Sequence, residues 1–245
     1  FFFKQKPAYA MLRSLVGSEM CIRDRDIFKP FKLTLDNFKS LLMIKKLIIK
    51  IIVLLIPAFV AKADYKVVLF GDSLMAGYGL DKKYHLSNVL EKNLNKKGIK
   101  VNVINASVSG DTSAGGLNRI DWTISEKNID IILLGLGAND MLRGISPNET
   151  EKNLEEIIIK ILNKKIQIVI AGMIAPDSHG DDYKNEFDKI FKRLSIKYEL
   201  DFIPFLLDGV ALNPDLNLDD GMHPNEKGVI IISKNIEKKL LNILN

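Results

Sequence analysis

Apolar runs of strand length alternate with longer helical patterns through residues 64–245, and this alternation restricts the fold more than any other feature. Strands that are separated by helices indicate a parallel sheet, because each parallel pair needs a crossover connection. Right-handed crossovers place helices on both faces of such a sheet. The sequence therefore predicts an α/β protein, a three-layer α/β/α sandwich with a five-stranded parallel sheet. The predicted strands are 66–70, 101–104, 131–134, 166–171 and 202–205, and the predicted helices are 85–97, 113–127, 150–163, 182–199 and 225–243.

Residues 43–63 have the pattern of a secretory signal peptide. A lysine-containing start at Met43 precedes the apolar run 51–60, and an Ala-Lys-Ala site ends at Ala63. An uncleaved membrane anchor is the alternative, but the run is short for a span of about 20 residues and Pro57 interrupts it. No cysteine follows the site, which argues against a lipid anchor. We therefore expect cleavage after Ala63, a periplasmic or secreted bacterial protein, and no stable membrane anchor in the mature chain.

Residues 1–42 fit neither a targeting segment nor a folded domain. The stretch 14–24, Ser-Leu-Val-Gly-Ser-Glu-Met-Cys-Ile-Arg-Asp, resembles translated sequencing-adapter sequence. A disordered N-terminal extension is the alternative interpretation. The predicted organisation is thus a non-native extension at 1–42, a signal peptide at 43–63 and one folded domain at 64–245.

The basic charge of the chain belongs mainly to its leader. Residues 1–63 hold 12 of the 35 Lys and Arg but only 4 of the 30 Asp and Glu, so residues 64–245 carry a net charge of about −3. This balance gives no reason to expect a nucleic-acid partner. The single cysteine, Cys21, also lies in the leader, so the predicted domain has no disulfide. Its 182 residues suffice to bury one core, and a monomer is expected.

Polar residues cluster in the loops that follow the predicted strands. Ser73 follows the first strand in Gly-Asp-Ser-Leu, Gly110 follows the second, and Asn139 follows the third. Because the carboxyl ends of parallel strands share one edge, these three residues can converge. Asp220 and His223 lie three residues apart before the last predicted helix. Together the loops supply a hydroxyl, a base and an acid, the groups that activate a serine nucleophile.

These four segments resemble the four sequence blocks of the SGNH (GDSL) hydrolase family, in particular its thioesterase I, lysophospholipase L1 and arylesterase branch. The resemblance extends through 105–113 and 139–144 and so covers nearly all of 64–245. It implies a flavodoxin-like variant of the predicted sandwich. The other large class of serine hydrolases requires Gly-x-Ser-x-Gly, and Met75 occupies its last position here.

The resemblance implies a role for each site residue. Ser73 is the expected nucleophile, His223 the general base, and Asp220 the acid that orients the base. Asp219 is the adjacent competitor, which spacing alone does not exclude. The expected oxyanion hole consists of the backbone N–H groups of Ser73 and Gly110 and the side-chain amide of Asn139.

The expected activity is hydrolysis of a small-molecule acyl ester or thioester through an acyl-enzyme. No metal-ligand set, phosphate loop or dinucleotide motif is present in the sequence, so neither a metal nor another cofactor is expected. A carbohydrate O-deacetylase with the same machinery is the first alternative, and a non-catalytic lipid or glycan binder is the second. The apolar residues on or near the active-site loops are candidates for acyl binding, although capping of the core explains each one equally well. They are Met75, Leu136, Met141, Leu142, Ile145 and Ile174.

Overall fold

Five parallel strands form one sheet in the order β2-β1-β3-β4-β5. The computed structural model describes residues 64–244, and before them only Met43, Lys45 and Lys46. The chain divides into two units, Phe1–Val60 and Ala61–Asn245, and the second contains the sheet. The signal-peptide and extension predictions, at 43–63 and 1–42, lie outside the described residues except at those three positions.

The elements alternate along the chain as predicted. The strands are β1 (Tyr65–Gly71), β2 (Val101–Asn105), β3 (Ile131–Gly135), β4 (Gln167–Ala171) and β5 (Asp201–Ile203). The helices are α1 (Ser73–Ala76), α2 (Leu86–Lys96), α3 (Ser113–Thr123), α4 (Ala138–Leu142), α5 (Pro147–Asn163), α6 (Asp181–Lys197) and α7 (Glu226–Leu244). Short 3₁₀ turns occupy Lys82–Tyr84, Asp177–His179 and Pro214–Leu216.

The helices form two layers around the sheet. Helix α2 packs against α7, whereas α3 packs against α5 and α5 against α6. The central strands β1 and β3 are consequently buried on both faces, which explains why their sequences are continuous apolar runs. Helix α5 shows the complementary pattern, since its buried residues recur at helical spacing. The predicted three-layer α/β/α sandwich is confirmed.

Several predicted boundaries differ from the structure, and the local backbone explains three of them. Strand β5 ends at Ile203 rather than 205, because Pro204 has no N–H to continue a ladder. Helix α5 begins at Pro147 rather than 150, because the Ser146 hydroxyl caps the N–H of Glu149. Helix α3 ends at Thr123 rather than 127, where turns lead to a left-handed Asn128.

Within the described part of the chain, none of the helices has the length and apolar character needed to cross a membrane.

Candidate active site

Ser73 opens a one-turn helix directly beyond the carboxyl end of the central strand β1. Asp72 caps this turn, because its Oδ1 accepts the N–H of Leu74 at 3.0 Å. Gly77 ends it in the left-handed conformation at φ 88°, which L side chains rarely adopt. The turn therefore holds Ser73 half-buried at the edge where ligands of α/β sheets bind.

Met75 anchors this turn from below and does not face the site. Its side chain is fully buried, and it lies so close to Gly71 and Gly135 that a Cβ on either glycine would fall within 2.6 Å of it. The prediction that Met75 lines an acyl groove is therefore wrong, because the one-turn helix points this side chain into the core. Leu136, a further candidate, is also fully buried.

A hydrogen-bonded chain runs from Ser73 to the loop before α7. His223 Nε2 lies 2.9 Å from Ser73 Oγ, and His223 Nδ1 lies 2.7 Å from Asp220 Oδ2. Both distances are within hydrogen-bond range. The hydroxyl, the imidazole and the carboxylate thus have the order and spacing that proton transfer from a serine requires.

The loop that carries Asp220 and His223 is largely self-supporting. Asp220 Oδ1 accepts the backbone N–H groups of Met222 and His223, each at 2.9 Å. These backbone hydrogen bonds, together with the bond from the His223 ring, lower the pKa of Asp220 to about 2. Asp219 points to solvent instead. Of the two adjacent carboxylates, the structure brings Asp220 to the histidine.

Asp72 has the opposite electrostatic environment. It is completely buried, and its Oδ2 has no hydrogen-bond partner. Burial raises the pKa of this carboxyl to about 7, although the bond from Leu74 and the nearby His223 act in the lowering direction. Burial therefore disfavours the ionised form of Asp72, and the hydrogen bond that its side chain makes is with the turn.

The loops after β2 and β3 flank the nucleophile, since β1 lies between these two strands. Gly110 adopts a left-handed conformation at φ 84°, and its carbonyl accepts a hydrogen bond from Arg143 at 2.8 Å. Asn139 donates one amide proton to the carbonyl of Asp111 at 2.9 Å. Because a side-chain amide has two N–H donors, the second can still donate to another acceptor.

Arg119 connects the loops around the site and was missed by the sequence analysis. Its guanidinium bonds Asp111 at 2.5 Å, the carbonyl of Ala106 at 2.5 Å and the carbonyl of Gly71 at 3.1 Å. It also stacks on the Phe70 ring with 4.0 Å to the centroid. In the sequence Arg119 is a charged position on a predicted helix, of the kind that normally faces solvent. No local motif identifies it as part of the site.

Asp140 joins neighbouring helices through the hydrogen bonds that its side chain accepts. It is buried, and its carboxylate accepts the Ser113 N–H at 2.7 Å, the Ser113 hydroxyl and the Thr150 hydroxyl. These bonds join α4, which carries Asn139, to the starts of α3 and α5. The position of the Asn139 amide is thereby fixed by the helices around it.

The two other histidines hold loops. His85 Nε2 lies 3.1 Å from the carbonyl of Leu80, and its ring covers Gly77. His179 Nε2 lies 3.0 Å from the carbonyl of Met141, and the Tyr183 hydroxyl donates to the carbonyl of Ile145 at 2.9 Å. His179 and Tyr183, which the sequence analysis did not associate with the site, thus fasten the segment after α4.

The remaining acyl-binding candidates lie at the end of α4, on the segment after it and on the loop after β4. Leu142 and Ile174 are 54% and 45% exposed, whereas Met141 and Ile145 are half-buried. A small cavity of about 10 Å³ borders Ser73, Tyr78 and Pro224, with room for about one water.

In residues 64–244 we find no group of three His, Cys, Asp or Glu side chains placed to hold a metal ion.

The fold and the hydrogen-bonded Ser73, His223 and Asp220 define an α/β/α protein with the side-chain arrangement of a serine hydrolase. Residues 69–229 match the GDSL-like lipase/acylhydrolase family, and the chain belongs to this family. It is 32% identical to an arylesterase of Vibrio mimicus, over 75% of this chain and 92% of that protein. It is 31% identical to thioesterase 1/protease 1/lysophospholipase L1 of Escherichia coli K12, over 78% and 91%. The SGNH-hydrolase family esterase AlinE4 superimposes with a TM-score of 0.63 at 39% identity, over 75% and 98%.

Proposed function

We propose that this protein hydrolyses carboxylic esters and thioesters through a serine nucleophile and an acyl-enzyme. The observation that carries the proposal is the unbroken chain from Ser73 Oγ to His223 Nε2 at 2.9 Å and from His223 Nδ1 to Asp220 at 2.7 Å. Relatives named arylesterase and thioesterase 1/lysophospholipase L1 support the same activity.

In the first half of the reaction, Ser73 Oγ attacks the acyl carbonyl carbon as His223 Nε2 takes the hydroxyl proton. Asp220 accepts the Nδ1–H of the ring, which fixes the tautomer and balances the imidazolium charge. Collapse of the tetrahedral intermediate breaks the bond to the leaving alcohol or thiol, which receives the proton from His223. In the second half, a water activated by His223 hydrolyses the acyl-Ser73 ester.

The negative oxygen of the tetrahedral intermediate needs hydrogen-bond donors on the far side of the carbonyl. We assign this function to the N–H groups of Ser73 and Gly110 and to the free amide proton of Asn139. Support comes from the placement of these residues on three neighbouring strand-end loops. The fixed position of Asn139 favours the transition state, since its N–H needs no reorientation during the reaction.

We assign acyl-chain contact to Met141, Leu142, Ile145 and Ile174. Exposed apolar side chains beside a catalytic centre offer a chain a surface to cover.

The test is hydrolysis of p-nitrophenyl esters from acetyl to palmitoyl, of acyl-CoA thioesters and of lysophosphatidylcholine by the full chain. We expect turnover of medium and long chains, and a loss of about 10⁴-fold or more in Ser73→Ala. Ser125→Ala, in the turn that follows α3, is the matched control and should keep wild-type turnover. Retention of more than a tenth of wild-type turnover in Ser73→Ala would contradict the assignment of the nucleophile. Activity confined to acetyl esters would instead favour a carbohydrate O-deacetylase.

We also infer that the domain is exported and acts as a monomer. The signal-peptide pattern of residues 43–63 supports export, and the absence of a cysteine after Ala63 agrees with a free protein. Fractionation of a bacterial host, with N-terminal sequencing of the product, should give a periplasmic or secreted protein that begins at Asp64. Light scattering should give the mass of one copy. Retention of the leader in the membrane fraction would contradict cleavage.

A further inference from the structure

Tyr78 contacts the ring of His223 from the turn that follows the nucleophile helix. The two ring centroids are 4.4 Å apart with an interplanar angle of 35°. Tyr78 is 51% exposed, so the core does not account for the presence of an aromatic ring at this position. The contact joins the two parts of the site that lie 150 residues apart in the chain.

The hydrogen bonds of His223 leave one motion of its ring unrestrained. They act at Nδ1, towards Asp220, and at Nε2, towards Ser73. Both nitrogens lie on the ring edge, so these bonds leave the ring faces uncovered and the ring can still tilt out of its plane. A tilt that displaces either nitrogen bends its hydrogen bond, which weakens as it departs from linearity. A side chain packed on the ring face prevents this tilt, and Tyr78 is placed there.

The backbone around Tyr78 is built for this approach. Gly77 and Gly79 on either side have φ values of 88° and 72°. Gly79 packs against Leu218 so closely that a Cβ there would lie 2.7 Å from the Leu218 Cδ1. Residues 77–79 therefore contact the loop that carries Asp220 and His223 at two points, Leu218 and His223.

We propose that Tyr78 is a positioning residue that holds the His223 imidazole in line with Ser73 Oγ, an inference that rests on the proposed serine hydrolase function. The face of a tyrosine ring also attracts a cation. When His223 holds the proton of Ser73, the imidazolium faces this ring and is stabilised. The effect is absent before attack, when the imidazole is neutral, so it acts on the transition state.

The kinetic test compares Tyr78→Ala, Tyr78→Phe and Tyr84→Ala in the full chain. Loss of the cation contact should lower kcat about two- to fivefold, and misalignment of the ring should lower it further. We therefore expect kcat of Tyr78→Ala to fall about 10- to 100-fold. KM should change less than about threefold, since an interaction made only in the transition state leaves ground-state binding unaltered. Tyr78→Phe keeps the ring face and should restore kcat. Tyr84 contacts Lys83 and lies in the next turn, so Tyr84→Ala controls for removal of a nearby tyrosine.

A second measurement follows the ring without any need for turnover. The Nδ1–H proton of His223, which is bonded to Asp220, should give a downfield NMR resonance in the wild type and in Tyr78→Phe. It should broaden through exchange with water in Tyr78→Ala. If no ester is hydrolysed by the wild type but this pattern is observed, the proposed function fails and the positioning of the ring stands. Ser73-dependent activity with unchanged kcat and an unchanged resonance in Tyr78→Ala would overturn the inference, as would a rise in KM alone, which identifies a substrate contact.

Discussion

The two halves of the catalytic chain are held in different ways. The Ser73 turn is fixed from below by the core, through buried Asp72 and through Met75 packed against Gly71. The loop with Asp220 and His223 is largely exposed, and its own backbone hydrogen bonds hold its shape. Changes in the turn should therefore affect both folding and activity, whereas changes in the loop should affect activity with a smaller effect on folding.

Within the loop, the largest effect on activity is expected from its acid. Asp220→Asn should lower kcat about 10³- to 10⁴-fold, because an amide neither balances the imidazolium nor enforces the required tautomer. Asp219→Asn is the matched control and should stay close to wild type, since that side chain faces solvent. Steady-state kinetics with a p-nitrophenyl ester provide the measurement. Comparable losses in the two variants would mean that the adjacent carboxylates share the function.

Glycine substitutions test the contrast in packing. In Gly71→Ala the new Cβ would lie 2.6 Å from the Met75 sulfur and 2.7 Å from the Gly135 carbonyl. We expect a loss of about 1–3 kcal/mol in the free energy of unfolding, together with lower kcat as Ser73 moves.

Gly221→Ala is the corresponding change in the loop. No atom lies within 4 Å of the new Cβ, and only the left-handed backbone at φ 69° opposes it. The cost should be about 1 kcal/mol, the lower end for a left-handed L residue. Urea unfolding of both variants measures the difference. A larger loss at Gly221 than at Gly71 would reverse the comparison.

The carboxylates of the two regions should give opposite pH dependence of stability. The pKa of Asp72 is raised from 3.8 to about 7, so the folded state binds this proton more tightly than the unfolded state. Its contribution is present below pH 4 and is lost as pH rises towards 7. The pKa of Asp220 is lowered to about 2, so its contribution is present above pH 4 and is lost as pH falls towards 2.

Urea unfolding from pH 2 to 8 tests this contrast by difference from the wild type. Asp72→Asn should be flatter than the wild type between pH 4 and 7, and Asp220→Asn should be flatter between pH 2 and 4. Parallel curves for the wild type and Asp72→Asn would show that this carboxyl titrates normally.

The sheet and the order of its elements could be predicted from the sequence, because hydrophobic periodicity reports burial directly. The strand-end positions of Ser73, Gly110 and Asn139 followed from the same pattern. The orientation of individual side chains could not be predicted in this way. Met75 lies close to Ser73 in the sequence, which suggested that it lines an acyl groove, whereas the helical turn directs its side chain into the core. Arg119 and Tyr78 act through contacts with residues distant in sequence, and such pairings leave no local pattern to find.

Arg119 limits how far the length of the loop after β2 can vary. One guanidinium bonds the end of β1 at Gly71 and both ends of the loop after β2, at Ala106 and Asp111. An insertion in that loop would pull at least one of these three acceptors out of reach. The length of residues 106–111 is therefore constrained, and inserted or deleted residues there should displace the loop that carries Gly110.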